Sequence, residues 1–583
     1  MKLLYIWVNN YKCFNKAEMN FYGNPRFHFN FAKKQLVTIN STNNLFPLND
    51  NSCIENVSAI VGTNGSGKTS ICSLLYDIEF YHSHDFSYIF ICSMDNQIYL
   101  ETDMRFDDID ISNIPFNIQP SNKSFSYNFN ILYYSPYYDA DHKFSCYGSG
   151  SALFKDLSTS NLMEEDLQEY KNPRPDTEYK NIYDVDRVTA HETLDNIRII
   201  SFLAEYDNFH PDDFNLNITL PKYIRFSADE NQFKKFEAEC HDHNSFLFKC
   251  YSLLKSNLDN SKGKNAIIEK IMLSMFCNFS TTYLLSNKVG FENDIVKEFL
   301  ARIEKGSRNN RNSVITTLQN IFMELSRIEN ITNFKDLINN EKASARLDFI
   351  NLIKNLGNNY FINDSIQFDL SSKIDKSNII SFLNIYNHIE GTTTFIKVSY
   401  KPIMSSGEKS EIQLYARLKY GIDKLINEQK TEETLLFLDE IEITLHPKLQ
   451  QNLVENLILF LHKFYKNMKF QIILSTHSPI ILSDLPSSNV VFLEKSAGLS
   501  NTMVKERAKQ TFASNIYQLF NDSFFLDSTP IGDFARKLIQ SAIDEINDCY
   551  EKPEKKVSEN TKKIVSLIGE PVFRNILEAR IQK

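Results

Sequence analysis

No stretch of this 583-residue chain approaches the roughly eighteen consecutive apolar residues that a membrane-crossing helix needs. The apolar run nearest the N-terminus, Leu3–Val8, is only six residues long and is expected to be a strand, not a signal peptide. Excess positive charge is missing as well. The net charge is −10, which excludes a strongly basic nucleic-acid protein, so any contact with DNA or RNA has to use a local basic patch. None of the nine cysteines (Cys13, Cys53, Cys72, Cys92, Cys146, Cys240, Cys250, Cys277, Cys549) forms a C-x-x-C pair. Scattered and odd in number, they fit free thiols in a reducing cytoplasm. Cys240, His241, His243 and Cys250 come nearest to a metal set, but the spacing C-H-x-H-x6-C matches no structural zinc site. What remains is a globular composition, 42% hydrophobic and 23% charged, long enough for about two to four domains.

The chain is organised around Val57–Leu75, VSAIVGTNGSGKTSICSLL. A short apolar run ends at Gly62, and Gly67-Lys68-Thr69 follows after four residues, just before an apolar helical pattern. Strand, glycine-rich loop and helix with the spacing G-x-x-x-x-G-K-T make a P-loop. Glycines at Gly62, Gly65 and Gly67, with Asn64 and Ser66 between them, let backbone N–H groups wrap a phosphate chain. The helix that begins near Lys68 points its positive end at those phosphates, with Ser70 in its first turn. Lys68 is expected to reach the β- and γ-phosphates, and the Thr69 hydroxyl to ligate Mg²⁺.

Before the P-loop, Leu3–Asn10 reads as a strand, and a further extended pair as Ala17–Phe21 with Gln35–Asn40. These suggest an antiparallel layer on a nucleotide-binding core. After it, Ser87–Ser93 and Gln97–Thr102 read as a hairpin and Phe129–Tyr134 as a buried strand. Residues 151–390 carry helix-period runs instead of strands, at Asn265–Leu285, Asn293–Lys305, Val314–Leu337 and Ser344–Leu356. Their heptads are not sustained, so the segment is expected to be a compact, mainly helical insertion without a long coiled coil. Core-type strands return at Thr394–Tyr400, Thr434–Asp439, Phe470–Ser475 and Val490–Glu494, and helices resume from Thr511.

Three later motifs add chemistry. Ser405–Ser410, SSGEKS, opens an amphipathic helix and alone is an ordinary capped start. Thr434–Asp439 ends in Asp439-Glu440 at the carboxyl end of a strand, where α/β folds place their chemistry. Phe470–Ser475 runs into Thr476-His477-Ser478-Pro479. In this order and spacing the set resembles the ABC-type ATPase heads of the RecF/SMC-like superfamily. GTNGSGKT (62–69) is similar to their Walker A, SSGEKS (405–410) to the signature, LLFLDE (435–440) to Walker B, and STHSP (475–479) to the switch histidine. IEITLHP (441–447) resembles their D-loop region.

The resemblance implies an α/β fold: an ABC-type P-loop ATPase head with a mixed β sheet and an N-terminal antiparallel β layer, a large helical insertion and C-terminal helices. The expected domains are 1–150 (ATPase lobe I), 151–390 (insertion), 391–505 (lobe II) and 506–583 (a C-terminal partner-docking region). It implies ATP and Mg²⁺ as cofactors, with Asp439 in the metal shell, Glu440 as general base and His477 on the γ-phosphate. Ser406, Gly407 and Glu408 then meet ATP held by a second subunit in a head-to-tail homodimer, a ligand-driven switch. The family's Q-loop glutamine has no counterpart in Phe129–Asp139, FNILYYSPYYD.

For the cellular task several readings stand. A transporter ATPase is disfavoured by the missing membrane segment. A nuclease in cis would need a metal-binding Asp-x-Asp after Glu494, and none follows. A DNA-repair ATPase of the RecF or SMC kind stays open. MKLLYIWVNNYKCF (1–14) and FASNIYQLFNDSFFLDSTPIGDFA (512–535) are similar to the PtuA family of Septu and retron-associated anti-phage defence. That likeness implies an HNH nuclease subunit of the PtuB kind as partner. In a retron setting it also implies a reverse transcriptase with its DNA–RNA hybrid, and phage or foreign nucleic acid as the target. It implies a cytoplasmic protein with no membrane partner.

Overall fold

The computed structural model describes residues 2–39, 44–49, 52–80, 85–94, 97–120, 130–139, 153–171, 187–205, 220–243, 246–258, 261–287, 319, 340–389, 394–427, 433–495, 502–505, 510–523, 532–552 and 554–582. The expected runs at Asn293–Lys305 and Val314–Leu337 lie almost wholly outside them. The described residues form two units, Met1–Ala513 and Ser514–Lys583.

The first unit is built on a seven-stranded sheet. Its order is Leu153–Asp156, Asn130–Tyr134, Glu433–Asp439, Lys469–Thr476, Ile54–Gly62, Val490–Lys495 and Thr502–Lys505. All neighbours are parallel except the last pair. A parallel strand covered on both faces is apolar along its length, not alternating. ETLLFLD and KFQIILST fit that rule, buried at nearly every position. Register places the chemistry: Asp439 lies opposite Ser475, and Thr476 opposite Val61. Three strands from distant parts of the sequence therefore end side by side at one edge.

A five-stranded sheet packs beside this core in the order Ala17–Asn20, Lys2–Asn9, Ser87–Met94, Gln97–Thr102 and Ile118–Pro120. Leu3, Ile6, Ile91, Ile60, Leu74 and Phe437 share one apolar cluster, so the two layers are one core. The joint is pinned by Gln471, whose buried amide donates to Leu3 O (2.9 Å) and accepts from Leu3 N–H (2.7 Å). The expected pairing of Ala17–Phe21 with Gln35–Asn40 is not formed. Ala17–Asn20 pairs with the first strand, and Gln35–Thr38 makes a separate hairpin with Phe27–Asn30.

Two further expectations are corrected. Leu153–Asp156 pairs with Asn130–Tyr134, so the central sheet runs past residue 150. The segment 151–390 is not helices alone. Tyr223–Ala228, Phe361–Ile362 and Ser365–Asp369 form an antiparallel sheet whose fourth strand is Ile396–Lys401, a stretch expected in the nucleotide core. The missed signal is alternation: YIRFSA shows a period-two burial pattern, and Asn363-Asp364 turns with both φ positive. Helices Gly263–Asn287, Asn340–Asn355 and Lys373–Ile389 accompany this sheet. Phe226, Phe349, Phe368, Phe382, Tyr386 and Phe395 pack as a continuous aromatic group. Of Cys240, His241, His243 and Cys250, whose spacing matches no zinc site, His243 stacks on Phe248 at 4.2 Å.

The helix Ser406–Asn427 is fixed by a buried polar network. Arg417 donates to Asp195 (2.7 and 3.0 Å), to Thr159 Oγ1 (2.8 Å) and stands 3.0 Å from His191 Nε2. His191 and Arg198 in turn bind Asp166. Thr159 donates to Pro136 O (2.9 Å), which ties the network to the end of Asn130–Tyr134. The same helix buries Glu411, whose Oε1 accepts from Asn456 (3.2 Å) while Oε2 has no hydrogen-bond partner among the described residues. Burial pushes this carboxyl up to about 7. A raised folded pKa means the penalty is absent below the ordinary value near 4.5 and grows as pH rises to about 7. Glu411→Gln keeps the Asn456 bond and is expected to add up to ~3 kcal/mol of stability at pH 8, with no gain at pH 4. Urea unfolding at the two pH values checks this.

The second unit is a helical group, Ile516–Ser523, Asp533–Glu551, Glu559–Ser566 and Pro571–Ile581. Ala542, Ile546, Val565, Ile568 and Leu577 form its core. Among the described residues of the whole chain, no helix is long and apolar enough to cross a membrane.

Candidate active site

Strand Ile54–Gly62 ends in the loop that leads to helix Lys68–Phe80. Gly65 and Gly67 have φ of +73° and +92°, which L side chains rarely adopt. A Cβ on Gly62 would lie 2.6 Å from Leu493 O, so this position also excludes a side chain on space. Asn64 is exposed at the loop tip, and Thr69 and Ser70 are half-buried in the first helical turn. Ser66 is buried, and its hydroxyl has no hydrogen-bond partner among the described residues. The loop thus leaves a buried hydroxyl and the N-terminus of a helix unspent, which suits a phosphate chain. The turn Tyr11–Phe14 is closed by reciprocal backbone bonds and holds Thr502 N–H through Cys13 O (2.7 Å).

Lys68 is buried. Its Nζ lies 3.5 Å from Gly62 O, 3.4 Å from Glu440 Oε1 and 2.6 Å from His477 Nε2. His477 Nε2 is also 3.2 Å from Glu440 Oε1. A neutral ring accepts from Lys68, and a protonated ring donates to Glu440. The His477 ring, with Lys68 beside it, holds the Glu440 carboxyl below its usual range despite partial burial. Glu440 therefore stays ionised, as a general base must be. Its backbone is left-handed, with φ of +50°, and its N–H donates to Ser475 O (3.0 Å). That turn swings the carboxylate off the strand end towards Lys68.

Asp439 is buried among hydroxyls. Thr69 Oγ1 donates to Oδ2 (2.9 Å), Tyr133 OH donates to Oδ2 (3.0 Å), and Ser475 Oγ donates to Oδ1. Burial pushes this carboxyl up, while the three hydroxyl bonds pull it back. The Thr69–Asp439 pair is a hard-oxygen donor set. Mg²⁺ takes one or two protein oxygens and fills the rest of its octahedron with water and phosphate. The residues fit that ion without a cluster of three acidic or histidine ligands, and the described residues contain no such cluster.

Ser406 and Gly407 make no hydrogen bond to Lys68, Thr69, Asp439, Glu440 or His477 among the described residues. Ser406 is exposed at the start of its helix. Gly407 lies against the turn after Glu440, where an added Cβ would be 3.3 Å from Thr444 O. Glu408 is committed to its own helix: its carboxylate accepts from Ser405 N–H (2.7 Å), and Ser405 Oγ accepts from Glu408 N–H (3.3 Å). This is a capping box, which gives Glu408 a structural task at the helix start.

Sequence reasoning did not single out Tyr133, Ser475, Glu442 or Gln450. Tyr133 and Ser475 are contacts of Asp439, made by register across three strands, and no local pattern announces them. Glu442 is a buried acid in an otherwise apolar stretch, which is a readable signal.

A glycine loop at a helix start, a hydroxyl–carboxylate pair and a second acid at neighbouring strand ends are the arrangement that P-loop ATPase domains use. A family model described as AAA domain, putative AbiEii toxin, Type IV TA system, matches residues 293–483. The match takes in the helix Ser406–Asn427, Asp439-Glu440 and His477, and it does not reach the loop at 62–69. No curated protein matches the chain.

Proposed function

We propose that this chain is a Mg²⁺-dependent ATPase subunit that closes head-to-tail around ATP and gates an HNH nuclease partner in trans, in anti-phage defence of the PtuA kind. One observation carries the ATPase: Lys68, Thr69, Asp439, Glu440 and His477, from three separate strand ends, are joined by contacts of 2.6 to 3.4 Å. In the reaction, Lys68 and the loop amides hold the phosphate chain. Thr69 and Asp439 hold the metal, which when bound offsets phosphate charge. Glu440 accepts the proton of the attacking water, and His477 bonds the terminal phosphate. Ser406 and Gly407, free of the cis site, serve ATP bound by the second copy.

The defence role is supported by the sequence likeness at 1–14 and 512–535 and by the toxin description of the matching family model. The C-terminal unit exposes Phe534, Tyr550, Leu567 and Val572, apolar side chains suited to a protein partner. In a retron setting, a reverse transcriptase and its DNA–RNA hybrid join the complex.

Lys68→Ala is expected to weaken ATP binding ~10-fold or more and to abolish phage protection. Fluorescent-nucleotide titration and plaque counts check it, and full protection by this variant would detach ATP from defence. A tagged pull-down from the native locus tests the partner. Co-purification of an HNH nuclease supports the reading, whereas a bare dimer on long DNA overturns it in favour of a RecF/SMC-type repair ATPase.

A further inference from the structure

The turn between Glu440 and the short helix Pro447–Gln450 is strapped to the segment carrying His477 by two side chains. Glu442 is buried, and its Oε1 accepts from Thr476 Oγ1 (2.7 Å) and from His477 N–H (2.8 Å). Gln450 Oε1 accepts from Ser478 Oγ (2.7 Å), while its amide donates to Leu445 O (2.9 Å) and Glu442 O (3.3 Å). Leu445 N–H closes the turn on Glu442 O (2.9 Å). The far side of the same turn lies on Gly407: Thr444 O and the His446 N–H are 3.3 and 4.0 Å from where a Cβ on Gly407 would sit.

His477 and Gly407 thus flank one turn: the His477 segment is tied to it by hydrogen bonds, and Gly407 lies in van der Waals reach of its other side. His477 touches Lys68 and Glu440 inside the cis site, and Gly407 does not. A buried carboxylate has to be well satisfied to be tolerated, yet Glu442 Oε2 has no hydrogen-bond partner among the described residues. Its cost is offset by holding two donors at the switch.

We infer that Glu442 and Gln450 are positioning residues that transmit the terminal-phosphate contact of His477 to the signature glycine Gly407, and so couple ATP bound in one subunit to closure on the next. This rests on the ATPase reading above. It requires a real mechanical element with two ends, not proximity alone. Residues 441–446 are that element: both straps fix the turn to the His477 segment, and the backbone of the same turn packs on Gly407.

The test uses the full chain in two backgrounds. In wild type, kcat and KM for ATP are measured for Glu442→Ala, Glu442→Gln and Gln450→Ala. In a Glu440→Gln background, fluorescent-nucleotide affinity and ATP-dependent dimerisation are measured for the same changes. Glu442→Ala is expected to lower kcat at least tenfold with KM within threefold, because the loss falls after nucleotide binding. It is expected to weaken ATP-dependent dimerisation at least tenfold with nucleotide affinity within threefold. Glu442→Gln keeps an acceptor for both donors and is expected to restore kcat to within threefold of wild type. Gln450→Ala, at a half-buried position, is expected to lower kcat and dimerisation about fivefold, and it decides the matter if Glu442→Ala does not fold.

The relay is overturned if the alanine variants keep kcat and dimerisation within twofold of wild type. It is equally overturned if nucleotide affinity falls in step with dimerisation, or if Glu442→Gln is as defective as Glu442→Ala. A wild-type chain that neither hydrolyses ATP nor dimerises on it overturns the ATPase reading and the relay together. An active wild type with indifferent variants overturns the relay alone.

Discussion

Glu440→Gln is expected to lower ATP turnover ~100-fold or more while leaving ATP binding within a few-fold of wild type. The glutamine fits the same space but cannot take a proton from water. Glu440 is the acid best placed for that task, since its carboxylate is half-exposed beside Lys68 and His477 and is held ionised by them. Asp439 cannot substitute, because its oxygens are taken by Thr69, Tyr133 and Ser475. The variant also removes a negative charge from beside Lys68, so its ATP affinity is expected to rise, not fall. Phosphate release and nucleotide titration read the two effects separately. Turnover within threefold of wild type would remove Glu440 from the mechanism.

Asp195→Ala is expected to destabilise the first unit by about 3–5 kcal/mol at pH 7, the usual cost of stripping one partner from a buried ion pair. Arg417 would be left buried with a cation it cannot shed. Although burial pushes the Asp195 carboxyl up, Arg417, with His191 and Arg198 nearby, holds it far below its ordinary value. A depressed folded pKa means the contribution is present above the unfolded value near 4 and is lost as pH falls below it. The gap between wild type and variant should therefore be full at pH 7 and begin to close below about pH 4. Trp7, the one tryptophan of the chain, is buried in the same unit and reports unfolding by its fluorescence. A loss under about 1 kcal/mol at pH 7 would show the network to be redundant.

The parallel strands were legible because a strand covered on both faces has to be apolar along most of its length, as the runs LLFL and IIL are. The P-loop was legible because its geometry admits only glycine at positions such as Gly62 and Gly67. Short alternating strands in a region of long helical runs were not. YIRFSA and SIQFD lie between helices, far apart in sequence, and only their pairing makes them a sheet. Ile396–Lys401 pairs outside the nucleotide core for the same reason: a strand's composition names its burial, not its neighbour.

In the candidate site, residues that act through a local motif could be read, while residues that act through tertiary contact could not. Asp439 and His477 stand at the ends of recognisable strands. Tyr133 and Gln450 reach their partners across more than twenty-five positions of sequence, with no pattern to mark them. Glu408 shows the converse. The same Ser405–Glu408 spacing that belongs to the motif also forms a capping box that closes a helix start.

The central claim is that ATP closes two copies of this chain on one another. The direct measurement is the solution mass of the Glu440→Gln chain by light scattering, with Mg²⁺-ATP and then with Mg²⁺-ADP. The account predicts a mass with ATP twice that with ADP, returning to the ADP value when Gly407→Asp blocks the signature face. The same mass with both nucleotides would contradict it.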